Sequence, residues 1–491
     1  MQQKPLGQIA IGGMTLTAIG IALSKLASFG SQFALGWLLT KEDFALYAIA
    51  ISWSTLVTTL RSGRTDQILV QRGSAYAELA SSVLKIGLSI NVVGFLILCL
   101  IAQGLSHIHD NAVLLQLVLI VGASLPLSTL ALLFQAKLSI DLKFLTITKL
   151  TTCSSILRQG SMVGFALLGL GPLSFVLPLL VVAMFETIAG YIAVGSFPPK
   201  RKIDQGQVKT ILGPAGWVML GSLGSSLIMF GDYLVIGQLH GKPILGVYFF
   251  GSQLTLSIAI LVATGLHSVM MPILSSLSSQ ETRQVSAFLR AWRVLAIAGT
   301  FVAFIWMIGA PPLMRWLWNH KWDDAIPVVQ LLSLSLIMRM IDPLGRSLLQ
   351  AQSRWKFVAL LSIGEGAGLL LAAAIGAVAG GLFTIAVSVS LYWFLFGFLQ
   401  VGLLTKMTGI PSPHLFVPLL SSVGIGLLAI GGSVLVGQYA LSTSSGLIQA
   451  AVSLAVFGLI YAVLISQFCK VGATELRALL PRGFRVGAEG H

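Results

Sequence analysis

The sequence predicts an all-α integral membrane protein. It should have about fourteen transmembrane helices, set as two six-helix lobes in parallel pseudo-repeat with two further C-terminal helices. Three observations predict this. Of the 491 residues, 56% are hydrophobic and only 9% are charged, whereas a soluble chain carries roughly 25% charged residues. So few charges cannot cover a water-facing surface, and the solvent must be lipid. Apolar runs recur from end to end, each near the roughly twenty residues that cross a hydrocarbon core. Finally, a short turn segment near the start of the chain returns close to its middle.

The first run, Met14–Leu39, is too long for a signal-peptide core and has no small-residue cleavage site, so it reads as a retained membrane helix. Phe44–Leu60, Val83–Gly104, Ala112–Phe134, Phe144–Leu167 and Pro172–Val194 complete a first set. The basic break Pro199–Lys202 follows. Trp217–Leu239, Leu245–Met271, Leu295–Pro311, Ile326–Leu349, Phe357–Val378 and Leu382–Leu404 form a second set, and Leu415–Val436 and Leu447–Phe468 remain. The lobes are drawn at residues 1–198 and 199–405, with 406–491 holding the last two spans and a basic tail. Leu277–Arg293 is polar and amphipathic and should lie on the cytoplasmic surface before the ninth span. The tryptophan-rich loop Arg315–Trp322 reads as an interfacial aromatic belt, with a lid over the outer mouth as the other reading.

Direction follows from lysine and arginine. Alternate loops and the two ends hold Lys4; Arg61, Arg64 and Arg72; Lys137 and Lys143; Lys200, Arg201, Lys202 and Lys209; Arg283, Arg290 and Arg293; Arg354 and Lys356; Lys406; and Lys470, Arg477, Arg482 and Arg485. The opposite loops hold only Lys41, Lys242, Arg315 and Lys321. By the positive-inside rule both termini are cytoplasmic and the number of spans is even. The net charge of +14 is this bias, and nucleic acid is not implied as a partner. Membrane lipids are, since basic loops attract anionic headgroups at roughly 1 kcal/mol per residue.

The repeated segment is Gly36–Tyr47 (GWLLTKEDFALY), which aligns without gaps on Gly237–Tyr248 (GQLHGKPILGVY). Gly36, Leu38, Lys41 and Tyr47 recur as Gly237, Leu239, Lys242 and Tyr248. Each segment joins the first two helices of a six-helix set on the outer face, so the two halves run in the same direction. Such folds usually bind substrate between lobes and alternate access by rocking.

An ionisable group at membrane depth costs roughly 2.5–3.5 kcal/mol and needs a partner or an aqueous cavity. Lys25, Arg158 and Arg339 lie near the middles of the first, fifth and tenth spans and are the candidates for a cationic cavity. Lys149 is shallower and half a helical turn out of phase with Arg158, so it should snorkel to the interface. Arg339, Asp342 and Arg346 share one helix face. They read either as part of the cavity or as a self-neutralising cluster, with Pro343 a potential bend. Arg346 counts among the substrate-binding candidates and could also be an interface anchor. The acids Asp232, Glu186, Glu365 and Asp342 either pair with a base or carry a coupling ion. Guanidinium matches phosphate through paired hydrogen bonds, so the pattern favours an anionic substrate group.

No Walker loop, His-Glu-x-x-His or nucleophile elbow is present, and no catalytic residue or metal site is assigned. Cys99, Cys153 and Cys469 have neither metal-ligand spacing nor a disulfide framework. The chain does not read as an enzyme.

The segment Gly36–Tyr47, with its acidic turn followed by Phe44, and the run Ile68–Arg72 (ILVQR) after the second helix resemble the multidrug/oligosaccharidyl-lipid/polysaccharide exporter superfamily. Within it the chain is most similar to bacterial polysaccharide transporters, the oligosaccharide flippases of the Wzx type. The topology match covers nearly the whole chain, and the motifs only about the first seventy positions. The resemblance implies a bacterial inner-membrane flippase that moves a polyprenyl-pyrophosphate-linked oligosaccharide to the outer leaflet, before polymerisation and export. It implies a cationic cavity, no bound cofactor, a proton or sodium gradient as energy source, and polymerase or export machinery as partners. The competing expectations are a multidrug or metabolite antiporter of the same superfamily, a peptidoglycan-precursor flippase, and a non-transporting scaffold.

Overall fold

The computed structural model describes residues 6–61, 69, 76–197, 215–440 and 446–468. The basic stretch Pro199–Lys202, the basic tail and all of Ile68–Arg72 except Leu69 lie outside them. The described residues form fourteen α-helices and one short 3-10 turn, Asp323–Ala325. The helices are α1 (Leu6–Leu38), α2 (Lys41–Arg61), α3 (Tyr76–Ile108), α4 (Ala112–Ile140), α5 (Phe144–Leu167), α6 (Leu173–Val194) and α7 (Ala215–Leu239). They continue with α8 (Lys242–Ser276), α9 (Glu281–Trp318), α10 (Ile326–Ala351), α11 (Trp355–Ala379), α12 (Leu382–Thr408), α13 (Pro413–Ala440) and α14 (Gly446–Phe468). Each apolar run falls on one helix, in order, and several helices extend well beyond their runs, as α9 does from Glu281 against a run that begins at Leu295. Ten of these helices are long and apolar enough to cross a membrane. The chain is therefore a multi-pass membrane protein, all-α among the described residues.

The helices gather into two compact units. One contains residues 1–249 and 359–370, the other 250–358 and 371–491. In the first, α1 packs on α5, α2 on α7, α3 on α4, and α6 on α4 and α5. In the second, α9 is central, against α10, α13 and α14, and α10 also packs on α12. Lipid gives helices no hydrophobic reason to associate, so van der Waals fit and interhelical hydrogen bonds hold them. Two such bonds tie α9 down: Trp292 Nε1 donates to the Leu415 carbonyl at 2.9 Å, and the Tyr461 hydroxyl donates to the Ile297 carbonyl at 2.9 Å.

The repeated turn has a local cause. Thr40 caps α2: Asp43 Oδ2 accepts from Thr40 N and from Thr40 Oγ1, each at 2.8 Å, while Thr40 Oγ1 accepts from Asp43 N at 3.2 Å. This reciprocal box satisfies orphan donors at the helix start, and the acids of the first turn, Glu42 and Asp43, suit its dipole. The equivalent turn before α8 docks against it. Lys242 Nζ lies 3.5 Å from Glu42 Oε1. A Cβ on Gly246 would stand 1.8 Å from the Lys41 carbonyl oxygen, so only glycine fits there. His109, in the α3–α4 turn, feels the same cluster: burial, and then the Lys242 charge, hold its imidazole below the usual histidine range.

Two expectations are corrected. Leu277–Arg293 is not a separate surface element, because α9 runs unbroken from Glu281 to Trp318 and buries Gln284, Phe288 and Trp292 along its first turns. The amphipathic pattern reflects that packed face, which Gln284 extends by donating to the Leu274 carbonyl at 2.7 Å. Nor is the tryptophan loop uniformly a belt. Trp316 is exposed, but Trp318 and Trp322 are fully buried. Phe250 stacks on Trp322 with centroids 3.8 Å apart and meets Trp318 edge-on at 5.1 Å. These rings bind the start of α8 to the α9–α10 junction.

Candidate functional site

In the first unit the candidate cations sit on the α1–α5 pair. Helix α5 is polar for a membrane segment, with Thr148, Lys149, Thr151, Thr152, Ser154 and Ser155 in its first half. Hydroxyl groups at helix contacts let backbones approach and bond across them. Gly20 of α1 faces Thr152 and Thr148, and Ser31 Oγ donates to Gln159 Oε1 at 2.5 Å. These two contacts align the helices in parallel, so Lys25 stands level with Ser154–Ile156. Arg158 is then about 6 Å further along the axis, at 1.5 Å per residue.

Both cations are half-buried. Among the described residues Lys25 makes no ion pair or hydrogen bond. The Arg158 Nε is enclosed and also makes no hydrogen bond there, as does the buried Ser154 Oγ. The Arg158 charge acts on Tyr47 of α2, whose ring stacks on Phe175 at 4.2 Å. Lys149 is exposed, half a turn away from this face. The arrangement presents cationic and hydroxyl donors at membrane depth, which suits an anionic oxygen-rich group.

The acids of this unit differ in their surroundings. Asp232 on α7 is buried: its Oδ2 accepts from the Tyr248 hydroxyl at 2.9 Å and its Oδ1 from the Tyr233 backbone at 3.0 Å. Glu365 is fully buried on α11, where that helix crosses α7. There Gly224 meets the Ser362 backbone so closely that a Cβ would lie 2.5 Å from it. Glu186 on α6 lines a cavity of about 30 Å³ with Gln135 of α4 and Thr151 of α5.

In the second unit Arg339 of α10 lies over the Trp393 ring of α12, 4.0 Å from its centroid. This cation–π contact gains in strength when desolvated. Arg346 Nε donates to Asp342 at 2.7 Å and 3.0 Å, an i,i+4 pair on the same helix. Pro343 does not interrupt α10. Lys25, Arg158, Asp232, Glu186 and Glu365 thus belong to the first unit, and Arg339, Asp342 and Arg346 to the second. Sequence reasoning missed Trp393, Tyr248 and Thr151, and read Gln135 only as a polar group at membrane depth bonded between helices. Of the three missed, only Tyr248 carried a signal, as the repeat partner of Tyr47. No group of three or more histidine, cysteine or acidic residues able to hold a metal occurs among the described residues.

Comparison with known proteins bears on this fold and its chemistry. No curated protein sequence matches the chain. Among solved structures, the lipid II flippase MurJ in an inward closed conformation superimposes with a TM-score of 0.72 at 14% identity, covering 93% of this chain and 100% of that one. An inward-facing multidrug resistance MATE family transporter of the MOP superfamily gives 0.63 at 14% identity, covering 80% of this chain and 98% of that one. A MATE transporter of Vibrio cholerae gives 0.56 at 14% identity, covering 82% and 97%. At such identities these likenesses show the fold alone, an all-helical one shared with MurJ and the MATE transporters. The sequence pattern described as polysaccharide biosynthesis protein matches residues 34–327, more than half of the chain. That match makes this chain a member of the polysaccharide biosynthesis protein family.

Proposed function

We propose that the protein is a flippase. It moves a polyprenyl-pyrophosphate-linked oligosaccharide repeat unit from the cytoplasmic to the outer leaflet by alternating access, for export of a surface polysaccharide. The observation that carries the reading is the α1–α5 pair, where Lys25 and Arg158 sit among hydroxyl groups at membrane depth. Carboxylates and aromatic rings would suit a cationic drug; guanidinium and ammonium suit a pyrophosphate and acidic sugars. Family membership supports polysaccharide assembly as the setting. In this reading the repeat-related lobes are residues 1–198 and 199–405, with 406–491 as an added pair of helices. Both termini are cytoplasmic, the membrane is the bacterial inner membrane, and Arg339 and Arg346 add positive charge from α10. An ion gradient supplies the energy, and a polymerase or export assembly takes the product.

A second reading is a flippase for a peptidoglycan precursor, favoured by the extent of the match to MurJ. One experiment separates the readings. In a deletion strain complemented with the gene, lipid-linked oligosaccharide and surface polysaccharide are quantified together. Accumulated repeat units with lost surface polymer, both restored by the gene, are the expected result. Arrested growth with accumulated peptidoglycan precursor would transfer the function to the second reading. Normal levels of every lipid intermediate would sink both and point to dye efflux assays, starting with Asp232.

A further inference from the structure

At the end of the second unit that the basic asymmetry assigns to the cytoplasm, three helix ends come together. Phe357 and Val358 in the first turn of α11 meet Leu404 and Met407 of the last turns of α12 in one packed hydrophobic core. Arg354 Nη1 donates to Met407 Sδ at 3.6 Å, which holds the α10–α11 turn against the foot of α12. Lys406, the chain neighbour of Met407, is exposed. So are Trp355 and Lys356, which follow Arg354. Among the described residues neither Arg354 nor Lys406 makes an ion pair, and the Trp355 ring meets no other ring. Beyond Lys406, toward the membrane centre, α12 presents a line of leucines. Leu399, Leu395 and Leu391 are each more than half exposed, and steps of seven and four residues keep them on the face of Lys406. At 1.5 Å per residue, Leu399 and Leu395 stand about 10 and 16 Å along the axis from Lys406. That is the depth of one leaflet of a hydrocarbon core about 30 Å thick.

We propose that this corner of the second unit binds one anionic phospholipid of the cytoplasmic leaflet. Lys406 and Arg354 hold a headgroup of the phosphatidylglycerol class, Lys356 adds positive charge, and an acyl chain lies along Leu399 and Leu395. The phosphodiester brings one negative charge and acceptor oxygens, and the ammonium and guanidinium groups bring the matching donors. An indole is amphipathic and settles at headgroup level, where Trp355 stands. The general attraction of basic loops to anionic lipid has no fixed place. Here a contact between two helix ends fixes two cations beside an indole and an apolar track. An acidic protein segment would match the cations and leave the leucines uncovered.

The inference concerns a resident lipid and not the cargo, so its test needs no transport. The full-length protein is placed in a series of phosphatidylcholine nanodiscs that contain increasing shares of phosphatidylglycerol or phosphatidylcholine brominated high on the acyl chains. Tryptophan fluorescence is read, and the signal of Trp355→Phe is subtracted to isolate Trp355. Each basic residue near the surface contributes about fivefold in affinity. Brominated phosphatidylglycerol is therefore expected to quench Trp355 at a mole fraction about twentyfold lower than brominated phosphatidylcholine does. Lys406→Gln raises the phosphatidylglycerol fraction for half-quenching about fivefold, leaves the phosphatidylcholine curve in place, and Lys406→Arg restores the wild-type value. Because Lys406 is exposed, the variant keeps the wild-type unfolding midpoint. Arg354→Gln acts in the same direction, and salt at about 1 M narrows the preference by screening. Equal quenching by the two lipids overturns the inference and leaves these cations to an acidic segment of a protein partner. A phosphatidylglycerol curve unmoved by Lys406→Gln overturns it as well. A deletion strain with normal polysaccharide would remove the flippase reading and leave this result intact.

Discussion

Arg158 shows how much depends on a single side chain at membrane depth. It lies on α5 beside the Ser31–Gln159 contact and within electrostatic reach of Tyr47, and its side chain offers a planar fork rather than a bare charge. Lysine at this position keeps the charge and loses the fork. On the proposed flippase function, Arg158→Ala is therefore expected to abolish polysaccharide export with normal protein abundance. Arg158→Lys should leave export roughly tenfold slower, since a lost charge-assisted hydrogen bond is worth about 1.5 kcal/mol. Equal export in Arg158→Lys and wild type would mean that only charge matters there. The candidate cations were legible because lysine or arginine inside an apolar run is conspicuous. Their neighbours were not. Trp393, 4.0 Å from Arg339, looks like any aromatic in an apolar helix, and only the packing of α10 on α12 brings it under the guanidinium. Likewise Gln135 and Thr151 acquire meaning only once α4 and α5 converge on Glu186.

At the scale of the element, α9 departs furthest from what hydropathy foretold. Its 38 residues make a rod of about 57 Å, against a hydrocarbon thickness of about 30 Å. A window set to membrane width cuts such a helix in two and assigns the polar part to a surface. The far end of α9 shows the opposite failure. Composition alone cannot distinguish a tryptophan facing lipid headgroups from one buried in protein, and Arg315–Trp322 contains both kinds. Trp322 is 1% exposed and stacked on Phe250, so Trp322→Ala removes a core contact, at a cost of about 3–5 kcal/mol. A clearly lower thermal unfolding midpoint of the purified protein is expected. Trp316→Ala, at an exposed position, should leave it unchanged, and equal effects of the two substitutions would refute the assignment.

For the molecule as a whole, the fourteen helices of the described residues could be read from apolar length because a segment in lipid must satisfy its own backbone. What hydropathy could not supply was the division into compact units, since α8 and α11 each pass from one unit into the other. Orientation rests on charge alone and is open to a direct check. A fluorescent protein fused to the C-terminus should be bright and alkaline phosphatase fused there inactive, with the reverse for fusions in the turn after α9, at Asn319–His320. Active phosphatase at the C-terminus would invert the topology.

The contact at Gly246 has a historical consequence. The repeat makes Ala45 the counterpart of Gly246, and the two positions meet: a Cβ on Gly246 would also stand 3.4 Å from the Ala45 nitrogen. In a dimer of identical subunits, two copies of one residue would have faced each other here, both small or both too large. Once the halves were joined in a single gene they could diverge, one keeping a methyl group and the other surrendering it. The two turns could then come closer than any symmetric pair bearing side chains would allow. A glycine on one side and an alanine on the other thus permit a tighter seam than two identical residues bearing side chains would.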